Sequence, residues 1–298
     1  MKNKTSSIKN KEVKSLLEPL IPPVLMSLAY DAKSLITYYK FKHLIEKNTQ
    51  LKGIHKDDRC FIIGSGPSIE KQNLSLLKDE VIIALNNFYV HPTFNEVMDG
   101  KRPKYYLTAP THGPNNKETW AKWLEDISLH TPHKTKMIFG VNNYPDNIAC
   151  ILEEYRLFNE KDVFWYATTN RYVEKYGFKE RYMNLTQPVM SCNAASVYAL
   201  MFAVYMGFKK IYLIGIEHSQ LCCRLNNSRK NFYKKALHQK NEKGRSSTDQ
   251  LVSLVRTFYQ YESISKFSES QIVNLSIDSL LDMFEYEDFE TAIKNSKL

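Results

Sequence analysis

Short, uninterrupted apolar runs recur along this chain and alternate with longer stretches that have helical spacing. A short apolar run that ends at glycine, asparagine or another turn residue is typical of a strand buried on both faces. The runs of this kind are 60–63, 81–85, 105–107, 137–139, 163–166, 211–215 and 271–275. The helical patterns between them cover 118–127, 146–155, 194–206 and 247–267. Continuous apolar strands that alternate with helices predict an α/β, Rossmann-like fold with a mostly parallel sheet covered on both faces.

Two further segments complete this organisation. Residues 1–55 are a lysine-rich lead followed by a mostly helical extension, which is interrupted at Pro22 and Pro23, and residues 56–298 form the Rossmann-like domain. Within that domain, a basic stretch at about 221–246 lies between a strand and the next helix. A polar segment of this length is typical of a lid loop, and a solvated or disordered loop is the alternative interpretation.

The helical extension allows two interpretations. Its leucine and aromatic residues have the spacing of a stripe that packs on the following domain, which is the commoner origin of such a pattern. Its lysines also suit a surface helix in peripheral contact with an anionic membrane. No uncharged run is long enough to span a bilayer, and the lysine-rich lead lacks the apolar part of a signal peptide. The sequence therefore predicts a cytoplasmic protein, with the inner face of the cytoplasmic membrane as a peripheral partner in the second interpretation.

Net charge and cysteine content limit the classes of partner and of fold that the sequence allows. The 41 basic and 32 acidic side chains give a net charge of +9, which favours phosphorylated substrates, anionic lipid or nucleic acid. Nucleic acid is the weakest of these because the basic residues concentrate in one loop without interleaved aromatic residues. The five cysteines have neither a disulfide framework nor zinc spacing, which argues against a stapled secreted fold and a structural zinc site.

The candidate chemistry lies at predicted strand ends, because ligands of parallel α/β sheets bind beyond the carboxyl ends of the strands. A glycine turn after the first strand lets the backbone approach a phosphate, and the helix N-terminus that follows offers free N–H groups. It lacks the lysine of a P-loop and the third glycine of a dinucleotide fingerprint, so a plain tight turn is the alternative. The turn consists of Gly64, Ser65, Gly66, Pro67 and Ser68.

Two other strand ends carry Asn86 with Asn87, and Glu217 with His218. Asparagine can read a base or sugar edge, although it also favours turns. Histidine is the usual general base and a neighbouring carboxylate can orient it; a histidine bonded to loop backbone is the alternative. The chain has no Asp-x-Asp pair, so the charge of a leaving phosphate would be neutralised by side chains and helix dipoles rather than by a metal.

Several blocks of the sequence together resemble the bacterial sialyltransferases of glycosyltransferase family 42. These blocks are 60–68 with 74–77 and 84–89, then 206–217, and finally 279–281. They look equally like uncharacterised relatives encoded in surface-polysaccharide gene clusters, and a related branch is described as 6-hydroxymethylpterin diphosphokinase-like. The resemblance covers roughly residues 58–285.

This resemblance implies a metal-independent glycosyltransferase without a cofactor, which takes sialic acid, Kdo or a related nonulosonate from a CMP-activated donor. The acceptor would be a glycan or lipid-linked glycan of lipopolysaccharide or capsule biosynthesis. In the family, the glycine turn and the asparagine that matches Asn86 contact the nucleotide. The resemblance also places Thr108, Ser191 and Asn193 near the donor, and it places Ser219 where the family has a tyrosine that holds the phosphate.

One departure from the family concerns the general base. Where the family has its catalytic histidine, this chain has Arg245, which cannot be deprotonated near neutral pH. His218, assisted by Glu217, is therefore the first candidate for the base, and His238 in the basic loop is the second. Ser65, Ser68 and Arg245 would hold the phosphate.

The stereochemical outcome and two rival functions stay open. Direct displacement would invert the anomeric centre, whereas Glu217 acting as a nucleophile would retain it. The rival functions are an ATP-dependent pyrophosphokinase of the 6-hydroxymethylpterin type and a non-catalytic nucleotide- or glycan-binding module. Linkage and the formation of a homo-oligomer are also left open.

Overall fold

The computed structural model of the protein describes residues 22–169, 179–219, 222, 231–233 and 246–294. The strands β1 to β8 are Arg59–Ile63, Val81–Leu85, Lys104–Thr108, Lys136–Val141, Val163–Ala167, Lys210–Ile214, Gln271–Asn274 and Glu285–Tyr286. The described helices α1 to α7 are Pro23–Ile45, Phe94–Met98, Lys117–His130, Ile148–Tyr155, Ala195–Tyr205, Ser247–Lys266 and Phe289–Lys294. Short 3₁₀ helices cover Glu46–Leu51, Pro67–Lys71, Leu74–Leu77, Phe88–Val90 and Glu180–Met183.

The described strands form one parallel sheet in the order β5-β4-β3-β2-β1-β6-β7-β8. The chain builds outward from β1 to β5 on one side and then returns to place β6 on the other side of β1. The direction of winding therefore reverses between β1 and β6. In open α/β sheets the crevice at such a switch point, beyond the carboxyl ends of the strands, is where ligands bind.

The buried strands alternate between two cores because successive side chains of a strand point to opposite faces. Phe61 and Ile63 of β1 join one core, which includes residues of α1, α2, α3 and α4. Cys60 and Ile62 join the other, which includes α5 and residues of α6. The predicted α/β, Rossmann-like fold with helices on both faces is confirmed.

Most elements coincide with the apolar runs and helical patterns, but the acidic end of the chain contains a strand and a helix that the sequence did not predict. The run at 271–275 is not the last strand, since Glu285–Tyr286 forms β8 beside β7 and α7 follows it. Both residues of β8 are exposed, so no apolar run marks this strand in the sequence. Most of the predicted lid at about 221–246 lies outside the described residues.

Helix α1 begins at Pro23, because the fixed φ of proline suits a first helical turn and its missing N–H is not needed there. Phe41 is buried against the sheet together with Ile45, but Leu25, Leu28, Leu35 and Tyr39 of the predicted packing stripe are exposed, so the packing interpretation is wrong for them. The Thr37 hydroxyl accepts a hydrogen bond from Asn143, which follows β4. At the other end, the side chain of Asn48 donates to the carbonyl oxygen of Trp165 in β5. The helix therefore descends along the sheet from its carboxyl edge.

Within the described ranges, no helix combines the length and apolar character that crossing a membrane requires.

Candidate functional site

Backbone hydrogen bonds join the glycine turn after β1 to the end of β6. The N–H of Gly64 donates to Ile214 O at 2.8 Å, and the N–H of Gly66 donates to Gly215 O at 2.9 Å. A Cβ atom on Gly64 would lie 2.3 Å from Gly215 O, and Gly215 itself has a φ of +63°. Glycine at both positions allows this close approach and the left-handed turn. The two sequence blocks that contain these glycines therefore meet at the switch point.

The carboxylate of Glu217 fills the space over the glycine turn. Its Oε1 accepts a hydrogen bond from the backbone N–H of Ser68 at 2.9 Å. A Cβ atom on Gly66 would fall 1.3 Å from Oε2 of the same carboxylate. The protein's own anion thus occupies the amide that the sequence analysis assigned to a phosphate. A phosphate at the Ser68 N–H would have to displace Glu217, which is only 4% exposed.

His218 faces away from Glu217, toward α5 and α6. Its Nε2 lies 3.1 Å from the hydroxyl of Tyr261, and that hydroxyl donates to Ser196 Oγ at 2.6 Å. This arrangement fits the tautomer in which Nε2 carries the hydrogen and the Tyr261 oxygen accepts it. The lone pair of the imidazole is then on Nδ1. The predicted assistance of His218 by Glu217 is not seen, because Glu217 bonds the Ser68 N–H while His218, at a left-handed φ of +53°, contacts Tyr261.

Burial controls the acid–base behaviour of His218. The ring is only partly exposed and contacts the rings of Phe258 and Tyr261. Desolvation lowers the pKa of His218 from its ordinary 6.5 to about 4, because burial disfavours the charged imidazolium. The imidazole is therefore neutral at pH 7 and able to accept a proton. Its low pKa makes it a weaker base than a histidine near its ordinary value.

The side chains of both predicted asparagines form hydrogen bonds with other parts of the protein at the end of β2. Asn87 is buried, with Oδ1 accepting from Trp123 Nε1 and Nδ2 donating to Tyr233 OH, each at 2.7 Å. Asn86 has a φ of +47°, and its Oδ1 accepts from the N–H of Ala109 at 3.2 Å. These contacts fit the turn-forming interpretation. They also fix the amide groups at the carboxyl edge of the sheet.

A described fragment of the basic segment lies over the ends of β1 and β2. The N–H of Phe232 donates to Ser65 O at 3.1 Å, and the Ser65 hydroxyl lies 3.4 Å from Asn231 Oδ1. The buried ring of Phe232 packs edge-on against His91. Since Tyr233 also contacts Asn87, residues 231–233 cover the switch-point edge as a lid would.

Two buried hydroxyls at this edge have no hydrogen-bond partner among the described residues. They are Ser68 Oγ in the glycine turn and Thr108 Oγ1 at the end of β3. Thr108 is completely buried, and Ser68 is 2% exposed. A buried hydroxyl without a partner costs roughly 1–3 kcal/mol, so each one calls for an explanation such as a ligand or ordered water. Both belong to the set of residues that the sequence analysis selected.

The remaining predicted residues are more scattered. Ser191 accepts a hydrogen bond on its carbonyl oxygen from Gln260, and Asn193 Nδ2 donates to Ser253 O at 3.4 Å, so both are tied to α6. Ser219 directly follows His218 and is half-buried. His238 and Arg245 lie outside the described residues, and their roles stay predictions.

Several contacts of the site could not be found from the sequence. Tyr261, Ser196 and Trp123 occupy ordinary positions in helical patterns, and nothing in their spacing marks them as partners of His218 or Asn87. Tyr233 follows the apolar Phe232 within a basic stretch, which is at most a weak signal of docking. In the part of the chain that the structure describes, no three His, Cys, Asp or Glu side chains come together as a metal site.

No protein-family model and no curated protein matches this chain. Similar solved structures include the sialyltransferase CstII from Campylobacter jejuni in complex with the substrate analogue CMP-3FNeuAc. That likeness has 18% sequence identity and a TM-score of 0.42, and it covers 77% of this chain and 84% of that chain. For CstII in complex with cytidine-5'-monophosphate, the identity is 18% and the TM-score 0.44, with 78% and 85% covered. A likeness of this degree concerns the general fold.

Replacing Gly66 tests the packing of the Glu217 carboxylate against the glycine turn. In Gly66→Ala, the new Cβ would lie 1.3 Å from Glu217 Oε2 and must push the carboxylate off the Ser68 N–H. We expect the free energy of unfolding, measured by urea denaturation, to fall by about 1–3 kcal/mol.

The control for this substitution is Gly113→Ala, whose Cβ would meet nothing closer than the Tyr144 hydroxyl at 3.8 Å. In a Glu217→Ala background, Gly66→Ala should lower the free energy of unfolding much less, because the carboxylate that the new Cβ would displace is absent. An equal cost in the two backgrounds would show that the carboxylate does not occupy the turn.

The pH dependence of stability tests the burial of His218. Its pKa is lowered from 6.5 to about 4 on folding, so between these values the unfolded chain binds more protons than the folded one. The free energy of unfolding must then fall as the pH drops from 6.5 to 4, by at most about 3 kcal/mol. His218→Gln should lose less stability over this interval in urea titrations, and the difference between the two proteins should be constant above pH 7. Parallel curves throughout would contradict the burial.

Proposed function

We propose that this chain is a glycosyltransferase that transfers an acidic sugar from a CMP-activated donor to a glycan acceptor. The observation that carries the proposal is the meeting of the turn 64–68 with the strand end 215–218 at the switch point. These are the two blocks with the strongest resemblance to the sialyltransferases, and they contact each other where a parallel sheet binds ligands. Sialic acid, Kdo and related nonulosonates are the donor sugars proposed.

The donor would lie along the carboxyl ends of β1, β2 and β3. Unpartnered hydroxyls of Ser68 and Thr108 supply two groups for it. The phosphate would then be held mainly by Ser65, Ser219 and the basic segment that contains Arg245, because Glu217 already accepts from the Ser68 N–H. Since the donor's phosphate and the carboxylate of its sugar are both anions, the net charge of +9 favours their approach.

His218 is proposed as the general base through Nδ1. The acceptor hydroxyl gives its proton to Nδ1, and its oxygen forms a bond to the anomeric carbon. The bond between that carbon and the phosphate oxygen breaks, and CMP leaves with the bonding electrons. The proposal takes the tautomer with the hydrogen on Nε2, bonded to Tyr261 and through it to Ser196, so that Nδ1 accepts the proton.

We propose inversion at the anomeric carbon, which the placement of Glu217 supports. A nucleophilic carboxylate must reach the anomeric carbon. Glu217 is 4% exposed and is bound to the glycine turn, so it acts in this proposal as a positioning residue that shapes the turn. Direct displacement by the acceptor, with one inversion, is the route that remains among the described groups.

A nucleotide- or glycan-binding module is the second candidate, and the chemistry of His218 favours it. An imidazole whose pKa is lowered to about 4 is a weak base at neutral pH. Such a module would share the switch-point site and lack turnover.

A thermal-shift panel tests the donor class. CMP, UMP, GDP, ADP and ATP are each added with and without Mg²⁺, and a ligand at 100 times its dissociation constant adds about 2.7 kcal/mol of stability. We expect CMP to raise the melting temperature and Mg²⁺ to make no difference. Stabilisation by ATP with Mg²⁺ alone would replace the transferase with the pyrophosphokinase, and no response to any nucleotide would overturn the CMP donor.

Substitution of His218 separates catalysis from binding. His218→Ala removes the base, and His218→Gln removes it while keeping an N–H donor toward Tyr261. We expect both variants to lose sugar transfer, measured as CMP release from CMP-linked sialic acid and Kdo in the presence of glycan acceptor, and to keep the melting shift with CMP. His133→Ala, at an exposed histidine far along the chain, is the control and should transfer normally. Normal turnover in His218→Gln would exclude His218 as the base.

A further inference from the structure

Helix α1 carries apolar side chains on its outer face as well as on the face that packs on the sheet. Leu25, Leu28, Leu35, Ile36 and Tyr39 are exposed by 55%, 58%, 57%, 65% and 73%. At about 100° per residue they fall within an arc of about 100°, opposite the buried Phe41 and Ile45. We call these five exposed residues, with Ala32 between them, the outer strip. A contiguous exposed strip of this kind marks an interaction surface.

Positive charge borders the outer strip. Lys33 and Lys40 lie along one edge of it, and Lys42, which is paired with Glu46 at 3.3 Å, lies along the other. Asp31 is the one acidic residue in the sequence of α1, and it is paired with Arg181 at 3.2 Å. An apolar strip between lysines, with a tyrosine near one end, is the pattern of a helix that lies in the interface of an anionic bilayer.

The outer strip also projects from the edge of the sheet that contains the candidate site. Thr37 is level with Asn143, which follows the carboxyl end of β4, and the helix descends from there toward Asn48 beside β5. The segment from Leu25 to Thr37, which rises twelve steps of about 1.5 Å, therefore extends past that edge by up to about 18 Å along the helix axis. A surface that binds this half of α1 would pass beside the carboxyl ends of the strands next to the helix.

We infer that the outer strip docks on an anionic lipid surface, with α1 lying in the plane of that surface. The lysines at its borders match the negative charge of such a surface. The sequence before the helix adds five lysines and one glutamate within residues 1–14. A second copy of the chain fits less well. Six side chains are far fewer than the roughly 20–30 residues a side of a stable interface, and two such strips would bring their lysines together.

Vesicle sedimentation with the full chain tests this inference. We expect the protein to sediment with vesicles of equal parts phosphatidylcholine and phosphatidylglycerol and only weakly with phosphatidylcholine alone. The triple variant Leu28→Gln, Leu35→Gln, Ile36→Gln should bind the anionic vesicles about tenfold more weakly or worse. Lys33→Gln with Lys40→Gln should also lose about tenfold toward them, with little change toward phosphatidylcholine.

The matched control replaces three exposed apolar residues elsewhere, Leu76, Val90 and Leu129, with glutamine and should bind as the unaltered protein does. Equal binding by the outer-strip variant, or no binding by the unaltered protein, overturns the inference. A dimer that becomes a monomer in the outer-strip variant would identify a second copy as the occupant. A melting temperature several degrees lower for that variant without vesicles would mean that the chain itself covers the strip. The melting shift with CMP does not depend on vesicle binding. A failure of the docking inference can therefore be distinguished from a failure of the proposed CMP donor.

Discussion

The contact between the backbones of Gly64 and Gly215 is the constraint on which the candidate site depends. Hydrogen bonds from Gly64 to Ile214 and from Gly66 to Gly215 bring together two segments that are about 150 residues apart in the sequence. A side chain on Gly64 would lie 2.3 Å from Gly215 O, so β1 and β6 could not end in this way without glycine. Because the winding reverses between these two strands, the same contact creates the crevice and delivers Glu217 and His218 to it.

The side chains of Glu217 and His218 contact different parts of the site. Glu217 supports the glycine turn from within, where it serves as a fixed internal anion at the Ser68 amide. His218 belongs to the other face, where its hydrogen bond to Tyr261 couples the end of β6 to α6 and, through Ser196, to α5. Because the Glu217 carboxylate fills the space over the turn, a second group has no room at the Ser68 amide. In the proposed function, the phosphate of the donor would therefore lie toward the basic segment, of which residues 231–233 contact Ser65 and Asn87.

Features that depend on neighbouring residues in the sequence were predictable, whereas contacts between distant residues were not. The strands were predictable because burial on both faces demands continuous apolar runs, and the glycine turn because glycine and proline mark it in the chain. Glu285–Tyr286 was not predictable as a strand because both of its residues are exposed. The partners of Glu217, His218 and Asn87 were not predictable either. They depend on which side of the sheet each residue leaves, and His218 leaves with a φ of +53° that no local pattern indicates.

The direction of α1 connects the two proposals by geometry alone. The helix packs on β5 through its C-terminal half, while its N-terminal half extends beyond the carboxyl edge on which the donor site is proposed. A bilayer bound to the outer strip would lie alongside α1 and pass beside that edge, where an acceptor carried on a lipid could approach it. A glycan acceptor free in solution would gain nothing from this arrangement. The outer strip therefore fits a lipid-linked acceptor better than a soluble one. Docking would place the proposed transferase and such an acceptor on the same membrane, which raises the effective concentration of the acceptor.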